Sequence, residues 1–511
     1  MLHQMERILK AFSGENVDYI TFITSLLVVV GIAFFILYDA DAAKILIGTS
    51  YDNIVNIFGP VYLILTIFSF FFLLYICISR HGNYRLGGQN QKAEFSYFSW
   101  IGMLFCSGIG GGLVYWSGVE WAYYVDIPPF GIEPGSDEAF ALATAYGLFH
   151  WGISAWSIYG IPAIALSIAF YKYKLSTLRL SSSLRGLGIK NVEESLGGRL
   201  IDFIFVIATV GAAGGTIGSY IPMLSSGFSD IFSIEKSFSL DLQVLALCVG
   251  LFGFSVYAGL TKGIKRLSDL NLLLAITFLI IILFIGPGLD ILRSSVEGFV
   301  YTVKYFWDMS TLGILEQSDF ADAWTIFYWA WWVAFGPLVA LFIARISKGR
   351  TLRELILGML VFGSLGTWLF YMILGGYSMS LEQNGIFGVM DSLKELGHAD
   401  TAISIIHTMP FDSTMLLLFC LITIIFVTTS YDSMSFVIAY HVQKNSSEQK
   451  DPDKELRLFW ALVLGILPAA LVIYSDHSVA MDLILITSLP LLFIYPLMAL
   501  AIIKDLNQEK K

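Results

Sequence analysis

The chain has 511 residues, is 56% hydrophobic and 14% charged, and carries a formal net charge of −10. Soluble domains hold about 25% charged residues, so a water-solvated core is excluded, and the acidic balance speaks against nucleic-acid binding. An integral membrane protein remains.

Apolar runs long enough to cross about 30 Å of hydrocarbon as helix recur at 19–38, 59–79, 98–119, 139–171, 201–228, 240–260, 270–288, 322–346, 353–377, 413–441, 457–475 and 479–503, twelve predicted spans. Ahead of them lies a tail, 1–18, and spans 1 and 2 fall within 19–79. No short apolar run ends in a small-residue cleavage site, so span 1 reads as a retained helix rather than a signal peptide.

Span 3 contains "CSGIGGGLVYW", residues 106–116, with glycine at 108, 110, 111 and 112. Each glycine weakens a helix by about 1 kcal/mol relative to alanine, so the spacing predicts an unwound segment at mid-depth. Exposed backbone there is tolerable only where protein or a water-filled cavity covers it, and such breaks are where secondary transporters bind substrate and ions. The acidic stretch that follows, "EWAYYVDIPPFGIEPGSDEA" at 120–139, reads as a solvated outer loop.

Span 4 carries "FHWGISAWSIYGIP", which puts Trp151, Trp156 and Tyr159 around its centre. After spans 5 to 7, the segment 289–307 is amphipathic and is expected to lie along the outer face. Span 8 holds "FYWAWWVAFGP", residues 327–337. Tyr328, Trp331, Trp332 and Phe335 share one helix face, and the two tryptophans fall within about 5 Å of the bilayer midplane, although tryptophan normally belongs at the interfaces. Two helices thus carry aromatics at one depth. A cage of electron-rich rings holds a quaternary ammonium, which has no N–H to donate, at about 2 kcal/mol or more per desolvated contact.

Span 10 includes "VTTSYDS", 427–433, where Thr429 and Ser430 offer hydroxyls and Asp432 an acid at membrane depth. Hydroxyls together with carbonyls from the glycine-rich break form a hard-ligand set suited to Na+. Helix packing through aromatics or small residues, and back-bonded hydroxyls, are the plain alternatives for these stretches. Cys77, Cys106, Cys248 and Cys420 lie scattered within the spans as small core residues, and the seven histidines show no metal-ligand spacing. No phosphate loop or nucleophile elbow is present, so the chain does not read as an enzyme.

Of the 30 basic residues, 25 fall in the terminal tails and even-numbered loops; the other five are Lys44, Lys236, Arg293, Lys304 and Lys394. Basic residues gather on the cytoplasmic side, so both termini are expected there.

Together, "SWIGMLFCSGIGGGL" (99–113), "FHWGISAWSIYGIPA" (149–163), "GLTKGIKRLSDLNL" (259–272), "WTIFYWAWWVAFGPLVALFIARISKGRTLRE" (324–354) and "VTTSYDS" resemble the betaine/choline/carnitine transporter family over nearly the whole chain. The resemblance implies an all-α polytopic membrane protein of twelve transmembrane helices with two inverted, LeuT-like five-helix repeats. These would be 98–288 (helices 3–7) and 322–503 (helices 8–12), with peripheral helices in 19–79, the outer-face helix 289–307 assembling homotrimers, and a short cytoplasmic tail, 504–511. It implies a trimethylammonium cage of Trp151, Trp156, Tyr159, Trp331, Trp332 and Phe335, with the substrate carboxylate on amides of the Gly110–Gly112 stretch. Phe335 stands where betaine-specific members have tryptophan, and Gly112 where proton-coupled choline carriers have aspartate.

The resemblance further implies one Na+ site from the carbonyls of Cys106 and Ile109 with the hydroxyls of Thr429 and Ser430. A second is expected to be weakened or lost, since Thr209 is present but Ala213 and Leu338 replace its partners. With almost no basic C-terminal helix, the chain is expected to act constitutively rather than as an osmosensor. The expectation is a multi-pass carrier in the cell inner membrane that moves a betaine or carnitine by alternating access. Na+ is the coupling ion, and no cofactor is expected. A sodium-independent antiporter, a carrier of a sulfonium analogue and a non-transporting receptor are the alternatives.

Overall fold

The computed structural model describes residues 11–14, 16–107, 110–175, 178–257, 261–444, 452–474 and 477–508. Among them every regular element is helical, apart from two isolated bridges, Val17 with Gln443 and Arg85 with Thr351. In chain order the helices are α1 Tyr19–Tyr38, α2 Ala40–Ile78, α3 Tyr97–Ser107, α4 Gly111–Trp116, α5 Glu120–Asp126, α6 Asp137–His150 and α7 Ile153–Lys172. Then come α8 Leu196–Phe232, α9 Phe238–Tyr257, α10 Thr261–Ile285, α11 Gly288–Lys304, α12 Phe306–Thr311 and α13 Ile326–Ile346. The chain finishes with α14 Leu352–Leu357, α15 Ser364–Phe370, α16 Gly376–Gln383, α17 Val389–His407, α18 Asp412–Val442, α19 Lys454–Leu464, α20 Ile466–Tyr474 and α21 His477–Gln508.

Among the described residues, 11 helical stretches are long and apolar enough to cross a membrane. The protein is an all-α polytopic membrane protein. Expected span 3 is absent from that set because it is divided: α3 stops at Ser107 and α4 starts at Gly111. Two of the four glycines, Gly110 and Gly111, stand at the start of α4, Gly110 with extended backbone; Gly108 and Ile109 lie outside the described residues.

Span 4 is also interrupted, which the hydropathy pattern does not foretell. Between α6 and α7 the backbone leaves helical geometry at Trp151 (φ −114°, ψ 10°) and Gly152 (φ −110°, ψ −142°). A carbonyl freed inside a bilayer has no water to turn to. Two side chains of α15 take the place of water: the Thr367 hydroxyl donates to the Trp151 carbonyl, and the Trp368 indole N–H donates to the Leu148 carbonyl at 2.8 Å. Only glycine fits at 152, since a Cβ would come within 2.2 Å of the Leu148 carbonyl oxygen and 2.5 Å of Trp368 Nε1.

The stretch expected as span 9 is helical from α14 through α16 but contains two π turns, Gly358–Gly363 and Tyr371–Gly375. The first lies against α3, where a Cβ at Gly358 would come within 2.5 Å of the Trp100 ring. α7 packs along α13, α8 runs against α18 and α21, and α11 lies across α6. Polar anchors collect where the basic loops meet the bundle: Arg179 with Asp202 at 3.7 Å, Lys172 with Asp505 at 2.8 Å and Arg199 with Asp18 at 3.0 Å.

Gly152→Ala is expected to cost about 1–3 kcal/mol through overpacking, read as a lower Tm of the detergent-solubilised protein. Gly250→Ala, inside α9 with nothing within 4 Å of the added Cβ, is expected to keep or slightly raise Tm.

Candidate functional site

The break before α7 sets Trp151 at the helix start rather than in its body, so its ring crosses toward α13. Its centroid lies 5.5 Å from Trp331 and 5.7 Å from Trp332, at interplanar angles of 80° and 76°. Tyr159, two turns further along α7, lies 4.5 Å from Trp332 at 50°, and Trp331 lies 6.2 Å from Phe335. Rings at such steep mutual angles stand as separate walls around one space instead of stacking into a single layer. Trp151, Tyr159, Trp331, Trp332 and Phe335 line one cavity of about 780 Å3. Trp156 stands behind them, fully buried, with its ring 5.5 Å from Tyr159 and 6.1 Å from Trp332.

Gly336-Pro337 follows these rings because α13 needs a defect there. Proline has no N–H, so the carbonyl four residues earlier, Val333, loses its helical donor. Tyr495 of α21 supplies one, its hydroxyl donating to the Val333 carbonyl at 3.1 Å. The hydroxyl reaches in because residue 336 has no side chain; a Cβ would lie 2.1 Å from it.

The opposite wall is the start of α4. Gly110, Gly111 and Gly112 all line the cavity. A Cβ on Gly112 would meet the Trp151 ring at 2.9 Å, the Tyr220 hydroxyl at 3.2 Å and the Trp331 ring at 3.3 Å, so the glycine lies flush against the cage. From α8, the hydroxyls of Thr216 and Tyr220, one turn apart, face this region with no hydrogen-bond partner among the described residues.

Cys106, Thr429 and Ser430 border the same cavity. The Thr429 hydroxyl donates to the Ile425 carbonyl at 2.8 Å, leaving its lone pairs free. Thr209, by contrast, is buried on α8 with its hydroxyl donating to the Phe205 carbonyl at 2.8 Å. The acid of the same motif is spoken for: Arg457 of α19 donates to Asp432 at 3.0 Å. From the cage the cavity runs past this pair toward Phe95, Arg345 and Tyr440. Beyond the glycines, Tyr115 and Trp116 at the end of α4 pack against His398 of α17, with the Tyr115 and His398 rings stacked at 4.0 Å and Trp116 4.9 Å from His398.

One site residue overturns its expectation. Composition places Glu120 in a solvated loop, yet it is fully buried. Tyr124 donates to its Oε1 at 2.6 Å; Trp151 donates to its Oε2 at 3.3 Å, and Tyr328 and Tyr371 donate to the same oxygen. Composition averaged over 120–139 hid it. The available signal was local, a glutamate directly after an apolar span and one helical turn before Tyr124.

Residues 20–511 match the profile of BCCT, the betaine/carnitine/choline family transporter. The chain belongs to the betaine/carnitine/choline transporter family. An Escherichia coli K12 protein named uncharacterized transporter YeaV is 31% identical over 86% of this chain and 91% of its own length. A carnitine transporter of Acinetobacter baumannii is 30% identical over 95% of this chain and 88% of its own. The transporter's cavity, rings and glycine break are therefore those of a membrane carrier.

Because Gly112 touches two cage tryptophans, Gly112→Ala in this transporter is expected to push the rings apart and raise the Kd for its substrate about tenfold or more, from about 1–3 kcal/mol of overpacking. Isothermal titration of purified protein measures it.

Proposed function

We propose that this carrier moves a quaternary ammonium zwitterion, carnitine, glycine betaine or a close relative, across the cell inner membrane. The observation that carries the reading is the cluster of five rings, Trp151, Tyr159, Trp331, Trp332 and Phe335, on a cavity whose lining acids are Asp269 and Asp432, the latter paired with Arg457. A trimethylammonium head offers no N–H, so carboxylates at the wall would gain no hydrogen bond from it, whereas π faces attract it without one. The unpartnered hydroxyls of Thr216 and Tyr220 and the backbone at Gly110–Gly112 supply donors for the carboxylate end. The Acinetobacter relative, a carnitine transporter, supports the same class.

Na+ is proposed to bind at Thr429 and Ser430 with backbone carbonyls near Cys106, linking α18 to the broken helix. Ile109, expected as a ligand, lies outside the described residues. Holding these two elements together would favour one arrangement of the site, which is how an ion gradient drives a carrier. The cavity runs to the end bearing Arg345 and Arg457, the cytoplasmic end by the distribution of basic loops, and the packed rings of Tyr115, Trp116 and His398 stand over the other end. The reading is an inward-facing state of an alternating-access cycle. The two five-helix groups would be inverted repeats. Leu289, Leu292, Val296 and Val303 leave an exposed apolar face on α11, which fits assembly into a homotrimer.

Uptake of labelled carnitine, glycine betaine and choline into proteoliposomes, with and without an inward Na+ gradient, tests the proposal. Carnitine or betaine is expected to accumulate with Na+ and choline much less. Trp332→Ala is expected to weaken binding at least tenfold for about 2 kcal/mol of lost cation–π attraction. Thr429→Ala is expected to abolish the Na+ stimulation while leaving the protein folded. Accumulation equal in the absence of Na+ and driven only by preloaded substrate would replace symport with exchange.

A further inference from the structure

Behind the cage lies a buried carboxyl with no lysine or arginine partner among the described residues. Glu120 sits where α5, α6, α13 and the π turn at Tyr371–Gly375 meet, and none of its surface reaches solvent. Its two oxygens take four donors: Tyr124 on one, and Trp151, Tyr328 and Tyr371 on the other. An indole N–H can only donate, and three phenols converge with it; four donors on one carboxyl favour its ionised form against the opposing effect of burial. Among the described residues no lysine or arginine pairs with Glu120. His150 is reached through Tyr124, whose hydroxyl lies 3.0 Å from His150 Nδ1, and the other ring nitrogen is 3.0 Å from the Thr325 hydroxyl.

A buried, unpaired carboxylate costs several kcal/mol, and removing charges at membrane depth would spare that cost. If the group only knitted helices together, a neutral acceptor would serve. What a carboxylate adds is negative charge, and it is placed against the back of the onium cage: Trp151 both donates to it and faces Trp331 and Trp332. Tyr328, another donor, stacks 6.0 Å from Trp331.

We infer that Glu120 is the counter-charge of the ligand's cationic head. It is a specificity-determining residue that acts through Trp151 without touching the ligand. It fixes the indole plane and, as a negative charge in a low-dielectric surround, it favours a positive head over a neutral one of the same shape. The inference rests on the reading that the cavity takes a methylated onium zwitterion.

The test compares glycine betaine with 3,3-dimethylbutyrate, in which carbon replaces nitrogen and the head is uncharged. Both Kd values are measured by tryptophan fluorescence on wild type, Glu120→Gln and Tyr371→Phe, each first checked for monodispersity. In wild type the ratio favours betaine. In Glu120→Gln that ratio is expected to fall by about tenfold or more, the scale of one charge acting across a cage at intermediate dielectric. Tyr371→Phe removes one donor but keeps the charge and is expected to keep the ratio. Equal weakening of both ligands in Glu120→Gln, with the ratio intact, overturns the counter-charge and leaves the transport reading standing. A wild type that binds no onium ligand overturns both.

Should Glu120→Gln fail to fold, the wild type itself decides. Ligand-induced infrared difference spectra are recorded with glutamate side-chain carboxyls labelled with 13C. A betaine-sensitive ionised carboxylate band supports the inference; a protonated acid band, or no glutamate response, overturns it.

Discussion

Everything in this transporter follows from one constraint: inside a bilayer, a backbone polar group released from its helix must find another partner within the protein. The site exists because helices are broken between α3 and α4 and between α6 and α7, and lose a backbone donor at Pro337 in α13. Each interruption that shapes the cage is bonded from a neighbouring helix: by Thr367 and Trp368 at the first turn of α7, and by Tyr495 at Pro337. The defects are thus fixed features that aim rings, and the helices that satisfy them are as much a part of the site as those that carry it.

Under the proposed function, two kinds of attraction would meet at the cavity. Quadrupoles of the indole and phenol rings would act at contact, over a few ångströms, and read the shape of a methylated head. The inferred Glu120 charge, set one ring further back, would act over a longer distance and read its sign. Separating the two would let the ring wall stay apolar, so that a hydrated inorganic cation would gain little by entering while an onium group would gain from both. The hydroxyls proposed to bind Na+ are on α18, where Asp432 is paired with Arg457.

Much of this was legible in the chain. The all-helical membrane class follows from composition and run length, and the aromatic face of α13 from the spacing of Tyr328, Trp331, Trp332 and Phe335. The unwound third span follows from its glycines. What could not be read was everything that depends on long-range pairing. "HWGIS" looks like uninterrupted helix because hydropathy is indifferent to φ and ψ; the break at Gly152 is stable only because Trp368, more than two hundred residues on, is there to bond it. Trp156 shares the depth of its neighbours, yet helix rotation turns it behind them. Composition averages Glu120 into an acidic loop, since its burial is set by Trp151, Tyr328 and Tyr371, all from other elements.

The π turn at Tyr371–Gly375 has an implication for how such carriers diverge. A π turn is a helix with one residue to spare, so gaining or losing it rotates everything beyond by about 100° while length and hydropathy barely change. Chains alike in every profile of oiliness can therefore offer different hydroxyls to the same buried carboxylate. One inserted or deleted residue there would change which side chains meet Glu120 without changing which segments cross the membrane.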